Sequence, residues 1–166
     1  MPVDNDKDLF VYELGILRDI ETSSIRMLDL VSQRVSREDL GEVIRSEQRQ
    51  CTCRQDRLDS CLQSLEAPSM QAPSETVDAV YLRFKRFVAG GATHEMVDQF
   101  AVDTLVRLLY LGIAALRPLI GWTVLSGQHE CSRTLHSNLV EKQESAARLE
   151  RLAFELRMRR LAHQAA

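Results

Sequence analysis

Turn-forming residues are scarce in this sequence, which contains 7 Gly and 4 Pro among 166 residues. Average usage would supply roughly 20 of the two together. A β-sandwich or β-barrel needs a turn about every 8–12 residues, so the scarcity disfavours both architectures. The hydrophobic fraction of 45% is ordinary for a globular protein and argues against disorder. The composition therefore predicts a single domain over residues 1–166 that is built from a few long elements.

An excess of basic residues is also absent. The chain has 21 Lys and Arg residues against 24 Asp and Glu residues, which gives a net charge of −3. A nucleic-acid-binding domain is usually strongly basic, and we therefore expect no nucleic-acid partner. The opening segment, MPVDNDKD, lacks the basic and apolar regions of a signal peptide. A cytoplasmic location is the resulting expectation.

The cysteines lack the C-x-x-C spacing of a zinc or thiol–disulfide site. In the cytoplasm Cys51, Cys53, Cys61 and Cys131 would be reduced thiols. The sequence favours buried small hydrophobic residues for this set. A zinc site is the alternative, and it requires that Cys51 or Cys53 meets Cys131 and His129 in space.

One long hydrophobic run, residues 105–125, has the length of a membrane-spanning helix. Two arginines, Arg107 and Arg117, lie inside it, and Pro118 follows. On insertion scales each central arginine costs about 2.5–3.5 kcal/mol in lipid. We therefore expect a buried helix of a bundle here, and no membrane span.

Apolar residues recur at steps of three and four along most of the chain, which is the spacing of amphipathic helices. Candidate N-caps are Ser36, Ser74 and Thr93, and Pro118 should kink or end the helix that contains it. Residues 45–50 carry no apolar side chain, an anomaly in a helix that otherwise faces a core. The pattern predicts four long helices and one short one, over about residues 8–35, 36–66, 75–88, 94–118 or beyond, and 129–163.

The connections between these segments indicate the topology. The first and second helices, and the third and fourth long helices, are joined by short connections that favour antiparallel pairs. The connection between the second and third long helices runs from Ala67 to Thr93 and contains the short helix. Four helices with one long crossover form the ferritin-like layout. The sequence therefore predicts an all-α, ferritin-like four-helix bundle.

The segment Asp8–Leu28, DLFVYELGILRDIETSSIRML, resembles the first helix of the YciF/YciE-like bacterial family, a branch of the ferritin-like superfamily. Glu13, Leu14, Asp19 and Glu21 fall on its marked positions. The family is often linked with stress responses, and its members carry a two-metal carboxylate site. Weaker similarity continues at Arg57-Leu58, Arg107, Ile113-Ala114-Ala115, Gly127, Leu135, Leu139 and Glu141.

The resemblance implies metal ligands on two helices. A ferritin-like bundle holds its two metal ions with inward-facing Glu residues, helped by Glu and His one turn apart. Glu21 stands at the family's position on the first helix, and Glu141 stands at that on the last. Glu144 follows Glu141 by three residues, on the same face. Without the resemblance, Glu21 and Glu141 would be expected on the solvated surface.

The two other long helices depart from the family pattern. The second helix has Gln50 or Thr52 and Arg54 where the family has Glu and His, and the third has the run Leu109–Gly112. Neither segment contains a histidine. The resemblance therefore implies that tight di-iron binding is lost and that the run Leu109–Gly112 fills the site. Arg54 is expected to take the place of a metal ion and to neutralise Glu21 or Glu141 as a charge-assisted pair.

These observations favour a non-enzymatic, stress-associated or structural protein with a degenerate di-metal site and no cofactor. One alternative is a working carboxylate protein that binds iron, manganese or zinc through Glu21, Glu141 and Glu144. Another is an interaction module that uses the polar part of the second helix or the Arg-rich C-terminal helix. The last helix, at about 52 Å for residues 129–163, exceeds the others, so its end is expected to overhang and pack on a second copy in a homodimer.

Overall fold

Long helices dominate the computed structural model, which describes residues 3–67 and 75–164. The described residues form five helices and no strand. The predicted cap Ser74 and residues 68–73 of the predicted connection between the second and third long helices lie outside the described residues. The helices are α1 (Asp6–Ser32), α2 (Glu38–Ser64), α3 (Glu75–Ala89), α4 (His94–Leu125) and α5 (His129–Gln164).

The four long helices pack as two hairpins. Helix α1 packs along α2 and α4 packs along α5, while α1 also contacts α4 and α2 contacts α5. The short helix α3 lies against α4 and α1 within the long crossover. The all-α, ferritin-like bundle predicted from the sequence is confirmed.

The start of α2 differs from the sequence prediction. Ser36 is not the N-cap of α2, because its N–H and Oγ both donate to the Asp98 carboxylate, at 2.8 and 2.6 Å. Arg37 takes the cap position without a side-chain hydrogen bond. Helix α4 continues past Pro118 to Leu125, within the predicted range, so Pro118 does not end the helix. Pro118 lies on the exposed face, while its neighbours on the inner face are buried and hold the helix in place.

The C-terminal end of α5 does not overhang the bundle as expected. Ala153 is buried in the core, and Arg157 pairs with Asp103 of α4 at 2.7 Å. Arg160 Nη1 lies 3.8 Å from Met96 Sδ, near the start of α4. At 32 residues, α4 is long enough to accompany the 36-residue α5 along this length.

Helix α4 is the most apolar element and passes the length and composition test for a membrane span, with a mean hydropathy of 1.7. In its most apolar window 39% of the residues are buried inside the bundle. The central helix of a four-helix bundle passes the same test. Its neighbours cover several of its faces, so those faces carry apolar residues that raise its mean hydropathy. Its packing against α1, α3 and α5 agrees with the bundle-helix interpretation.

The core consists of two apolar clusters that follow one another along the bundle axis. The first includes Met27, Ile44 and Ala146, and the second includes Leu17 and Leu58. On α2 the buried residue between Cys51 of the first cluster and Leu58 of the second is Arg54. A polar layer therefore lies within the core, between the two apolar clusters.

Candidate functional site

The polar layer comprises Glu21 on α1, Arg54 on α2 and Lys142 on α5, together with Glu47, which lies on α2 between Ile44 and Cys51 of the first apolar cluster. We call these four residues the ion cluster. On α2 the inward stripe runs through residues 40, 44, 47, 51, 54, 58 and 61, in steps of four and three. Glu47 and Arg54 occupy positions on this stripe. Because burial of the neighbouring apolar residues turns this face of α2 toward the core, both charged side chains also point inward. Each of the four residues is at most 4% exposed.

Arg54 lies at the centre of the ion cluster and joins two carboxylates. Its Nε lies 3.1 Å from Glu21 Oε2, and its Nη2 donates to Glu47 Oε1. The same Nη2 lies 3.1 Å from Cys51 Sγ. The guanidinium is fully buried. The predicted charge-assisted pair between Arg54 and Glu21 is therefore confirmed.

Lys142 supplies a second buried cation. Its Nζ lies 2.7 Å from Glu21 Oε1, an ion pair by distance whose angles fall outside hydrogen-bond geometry. The side chain crosses α4 at Gly112: a Cβ placed on this glycine would lie 2.7 Å from Lys142 Cε and 2.8 Å from Nζ. No larger residue fits at position 112 while Lys142 keeps this position. Gly112 therefore makes the room that Lys142 needs to reach Glu21.

Glu141 lies at the rim of the ion cluster, with its side chain 26% exposed. It pairs with Arg57 at 2.7 Å, and its second oxygen lies 4.0 Å from Arg54 Nη1. Arg57 also donates to Asn138 Oδ1 at 3.0 Å. Glu144 is exposed to solvent. Of the three predicted metal ligands, the structure thus gathers Glu21 and Glu141 around Arg54 and leaves Glu144 apart.

The charges in the ion cluster balance, with two carboxylates and two cations. Burial is the largest influence on the pKa of Glu21 and would raise it, but Lys142 and Arg54 outweigh burial and lower the pKa below its ordinary value. Burial likewise works to lower the pKa of Arg54, but Glu21 and Glu47 raise it on balance. Glu21 and Arg54 are therefore both charged at neutral pH.

Three of the four cysteines are buried as predicted, and Cys53 is exposed because it lies about 200° around α2 from Cys51. Burial, together with the Glu21 carboxylate, raises the pKa of Cys51 to about 12. Cys51 is therefore a neutral thiol at physiological pH and a poor nucleophile or metal ligand. Cys61 and Cys131 both lie in the second apolar cluster.

The volume inside the ion cluster is small. A cavity of about 10 Å³ touches Ser24, Glu47, Cys51 and Lys142, and it is about the size of one water molecule. Within residues 3–67 and 75–164, no group of three or more His, Cys, Asp or Glu side chains could hold a metal ion. This also applies to the zinc alternative, whose four candidate ligands are all described. The residues present do not fit a pair of bridged metal ions, because cations of the protein lie between the carboxylates.

Two members of the ion cluster, Glu47 and Lys142, are not among the site residues that the sequence predicts. Glu47 falls in the apolar-free segment 45–50, and its position seven residues before Arg54 puts both on one helix face. Lys142 continues the inward stripe of α5 from Leu135 through Asn138. The available signal for such residues is a charged residue on an otherwise apolar stripe. Arg54 on α2 and Lys142 on α5 both show this signal, and both belong to the polar layer.

The chain is similar to known proteins over most of its length. Residues 5–162 match the family described as a domain of unknown function, DUF892. The search of curated proteins gives no match. The E. coli stress protein YciF superposes with a TM-score of 0.86 at 16% identity, over 92% of this chain and 97% of YciF.

Two further solved structures share the fold. YcfI from Rhodopseudomonas palustris, to which a structural role has been ascribed, superposes with a TM-score of 0.84 at 19% identity. That match covers 89% of this chain and 94% of YcfI. A protein from Xanthomonas campestris superposes with a TM-score of 0.77 at 15% identity, over 98% of this chain and all of that one. At these identities the likeness concerns the fold alone.

Proposed function

Since the chain belongs to the YciF-like family described as a domain of unknown function, DUF892, we propose that it is a non-enzymatic, stress-associated or structural protein whose di-metal site is degenerate. The observation that carries the proposal is the pair of buried cations, Arg54 and Lys142, on the two oxygens of Glu21. In a carboxylate-bridged site those oxygens would belong to metal ions.

Electrostatics explains why the ion cluster and a pair of metal ions beside Glu21 exclude each other. Glu21 and Glu47 bring two negative charges into the core, and Arg54 and Lys142 neutralise them. A divalent cation beside Glu21 would lie a few ångströms from both protein cations, in surroundings where water screens little of the repulsion. The ion cluster thus replaces, within the chain itself, the charge that metal ions supply in a di-metal site.

We expect the purified protein to contain far less than one metal ion per chain. Elemental analysis by mass spectrometry measures this content after expression in medium supplemented with iron, manganese and zinc. The unfolding midpoint should be the same with and without a chelator. A chelator lowers the midpoint only when it removes a metal ion that stabilises the folded protein by binding to it.

A pair of matched variants separates this proposal from a working metal site. Glu21→Gln alters a buried oxygen, while Glu144→Gln alters an exposed carboxylate with the same chemistry. Near-stoichiometric iron or manganese that disappears in Glu21→Gln and persists in Glu144→Gln would overturn the proposal. A metal content that both variants leave equally low supports it.

The outer face of α5 favours a second role, as the contact surface of a homodimer. Phe154, Met158 and Leu161 follow one another at steps of four and three and are 63%, 50% and 56% exposed. A row of large apolar side chains on one helix face suits helix-to-helix association. We propose that a second copy packs on this row.

Light scattering after gel filtration is expected to give twice the mass of one 18.9 kDa chain. Phe154→Glu with Met158→Glu should halve that mass and leave the helical content unchanged. Leu125→Glu, at the 89%-exposed end of α4, is the control and should remain dimeric. A monomeric native protein, or a dimer that survives the double substitution, contradicts the proposal.

A further inference from the structure

A pair of cysteines, Cys61 and Cys131, lies where the two helical hairpins meet. Cys61 is on α2 of the first hairpin and Cys131 is on α5 of the second, and both are free thiols. They are 4% and 3% exposed and belong to the second apolar cluster. Neither residue takes part in the ion cluster or in the proposed dimer contact. Each hairpin thus places one thiol in the same part of the core.

Two hydrogen bonds fix the register of α2 against α5. Ser145 Oγ donates to Gln50 Oε1 at 2.9 Å, and Arg57 Nη1 donates to Asn138 Oδ1 at 3.0 Å. Between these contacts the residue number rises by seven on α2 and falls by seven on α5. The two helices therefore run antiparallel, and residues that face each other can be paired along their contact.

This register brings the two cysteines to nearly the same level of the bundle. Continued by four residues, it places Cys61 level with Thr134. Cys131 lies three residues before Thr134, which is about 4.5 Å along the helix axis. Cys131 is buried with Leu135, four residues further on, so both side chains leave α5 on its inward face. The Cys131 side chain therefore enters the core beside Cys61.

The two thiols also influence each other's ionisation. The Cys131 thiol lowers the pKa of Cys61 below its ordinary value, although burial acts in the opposite direction. Cys61 and burial together raise the pKa of Cys131. Such mutual effects act only over short distances, in agreement with the register. Cys61 therefore ionises more readily than Cys131 and is the better nucleophile of the pair.

The other two cysteines are too far away to compete for either thiol. Cys51 and Cys53 precede Cys61 on α2 by ten and eight residues, about 15 and 12 Å along the axis. A disulfide bond requires Cα atoms within about 7 Å of each other. Only Cys61 and Cys131 are therefore placed to pair within one chain.

Both cysteines lie in terminal turns of their helices. Cys61 is in the last turn of α2, which ends at Ser64, and Cys131 is in the first turn of α5, which begins at His129. Terminal turns open at a lower free energy than helix interiors, so a small oxidant reaches these thiols without unfolding of the whole bundle. The same local freedom lets the backbone adopt the spacing that a disulfide bond requires.

We propose that Cys61 and Cys131 form a disulfide bond when hydrogen peroxide oxidises the folded protein. The Cys61 thiolate attacks one oxygen of the peroxide and the O–O bond breaks, which gives a sulfenic acid on Cys61 and releases hydroxide. The Cys131 thiol then attacks the sulfenic sulfur. The S–S bond forms, and the sulfenic oxygen leaves as water with the proton of Cys131. The two thiols lose two electrons, and the peroxide gains them.

The disulfide bond joins the two hairpins covalently and closes a loop that contains α3 and α4. Such a cross-link stabilises a protein mainly by restricting its unfolded chain. In a reducing compartment the bond forms during oxidation and is lost when reduction resumes. The bundle therefore resists unfolding most when the surroundings are oxidising. This inference does not depend on the proposed function, because neither cysteine belongs to the ion cluster.

Peroxide treatment of the reduced full chain tests the proposal. After remaining thiols are blocked, mass spectrometry of proteolytic peptides should find Cys61 and Cys131 in one linked pair of peptides. The urea midpoint of the oxidised protein should rise by about 1–2 M and should return to its original value on reduction with dithiothreitol. The absence of this linked pair, a link to another cysteine in its place, or an unchanged midpoint would overturn the proposal.

Three variants assign the effect to this pair. Cys61→Ala and Cys131→Ala should each abolish the linked peptides and the rise in the urea midpoint after oxidation. Cys53→Ala, at the exposed cysteine of α2, is the matched control and should keep both. A midpoint that still rises in Cys61→Ala would show oxidation at another residue and contradict the proposal. The peptide map of the native chain needs no variant, so the test holds even where an alanine destabilises the core.

Discussion

Arg54→Met is expected to lower the free energy of unfolding by about 3–5 kcal/mol, because it leaves buried carboxylates without their shared cation. Methionine retains much of the side-chain volume, so the loss reports on charge rather than on a cavity. Glu47 would have no ion-pair partner among the described residues, and Glu21 would keep only Lys142. Urea unfolding at pH 7, followed by circular dichroism, measures the change.

A fourfold variant provides the control for this effect. With Glu21, Glu47, Arg54 and Lys142 all replaced by methionine, no buried charge is left unpaired. Replacement of a whole buried ion cluster by apolar residues is often neutral or stabilising by about 1–4 kcal/mol. The fourfold variant should therefore be at least as stable as the native chain. A loss below about 1 kcal/mol for Arg54→Met alone would contradict the buried cluster described here.

Gly112→Ala is expected to destabilise the bundle by about 1–3 kcal/mol, although alanine is the better helix former by about 1 kcal/mol. The new methyl group would lie 2.7 Å from Lys142 Cε. The end of a lysine side chain usually moves aside at little cost. Lys142 is buried and paired with Glu21, so that its retreat would break the ion pair. Urea unfolding of the variant measures the loss.

A double-mutant cycle isolates the contact between Gly112 and Lys142. In a Lys142→Ala background the space is free, so the same Gly112→Ala change should become neutral or stabilising by up to about 1 kcal/mol. Gly121→Ala is the matched control on α4, because no atom lies within 4 Å of its added Cβ. Gly121→Ala should stabilise in both backgrounds. The same effect of Gly112→Ala with and without Lys142 would show that the two residues do not compete for space.

The helices could be predicted from the sequence because each carries a periodic stripe, and the short connections gave their pairing. The pairing of Glu21 with Arg54 was also accessible, since the family resemblance placed both at one level of the bundle. The start of α2 was less accessible. Ser36 has the chemistry of a cap, but a buried carboxylate 62 residues away competes for its hydroxyl. No local pattern reveals such a competitor.

The role of Gly112 does not follow from the sequence. The sequence predicts that Gly112 belongs to an apolar filling of the site, the run Leu109–Gly112. In the structure its missing side chain gives passage to a lysine from another helix. The axial register between α4 and α5 decides which α5 residue faces Gly112, and packing along the whole hairpin sets that register. One residue of shift would place a different α5 side chain there.

The ion cluster between two apolar clusters also fixes how the helices align along their axes. Apolar stripes alone tolerate sliding, because leucine meets leucine again after one turn of about 5.4 Å. A slide of α2 by one turn would carry Arg54 away from Glu21 and against apolar neighbours, where its charge has no partner. The same holds for α5 and Lys142. Four charged residues thus select one vertical alignment out of several with nearly equal apolar contact.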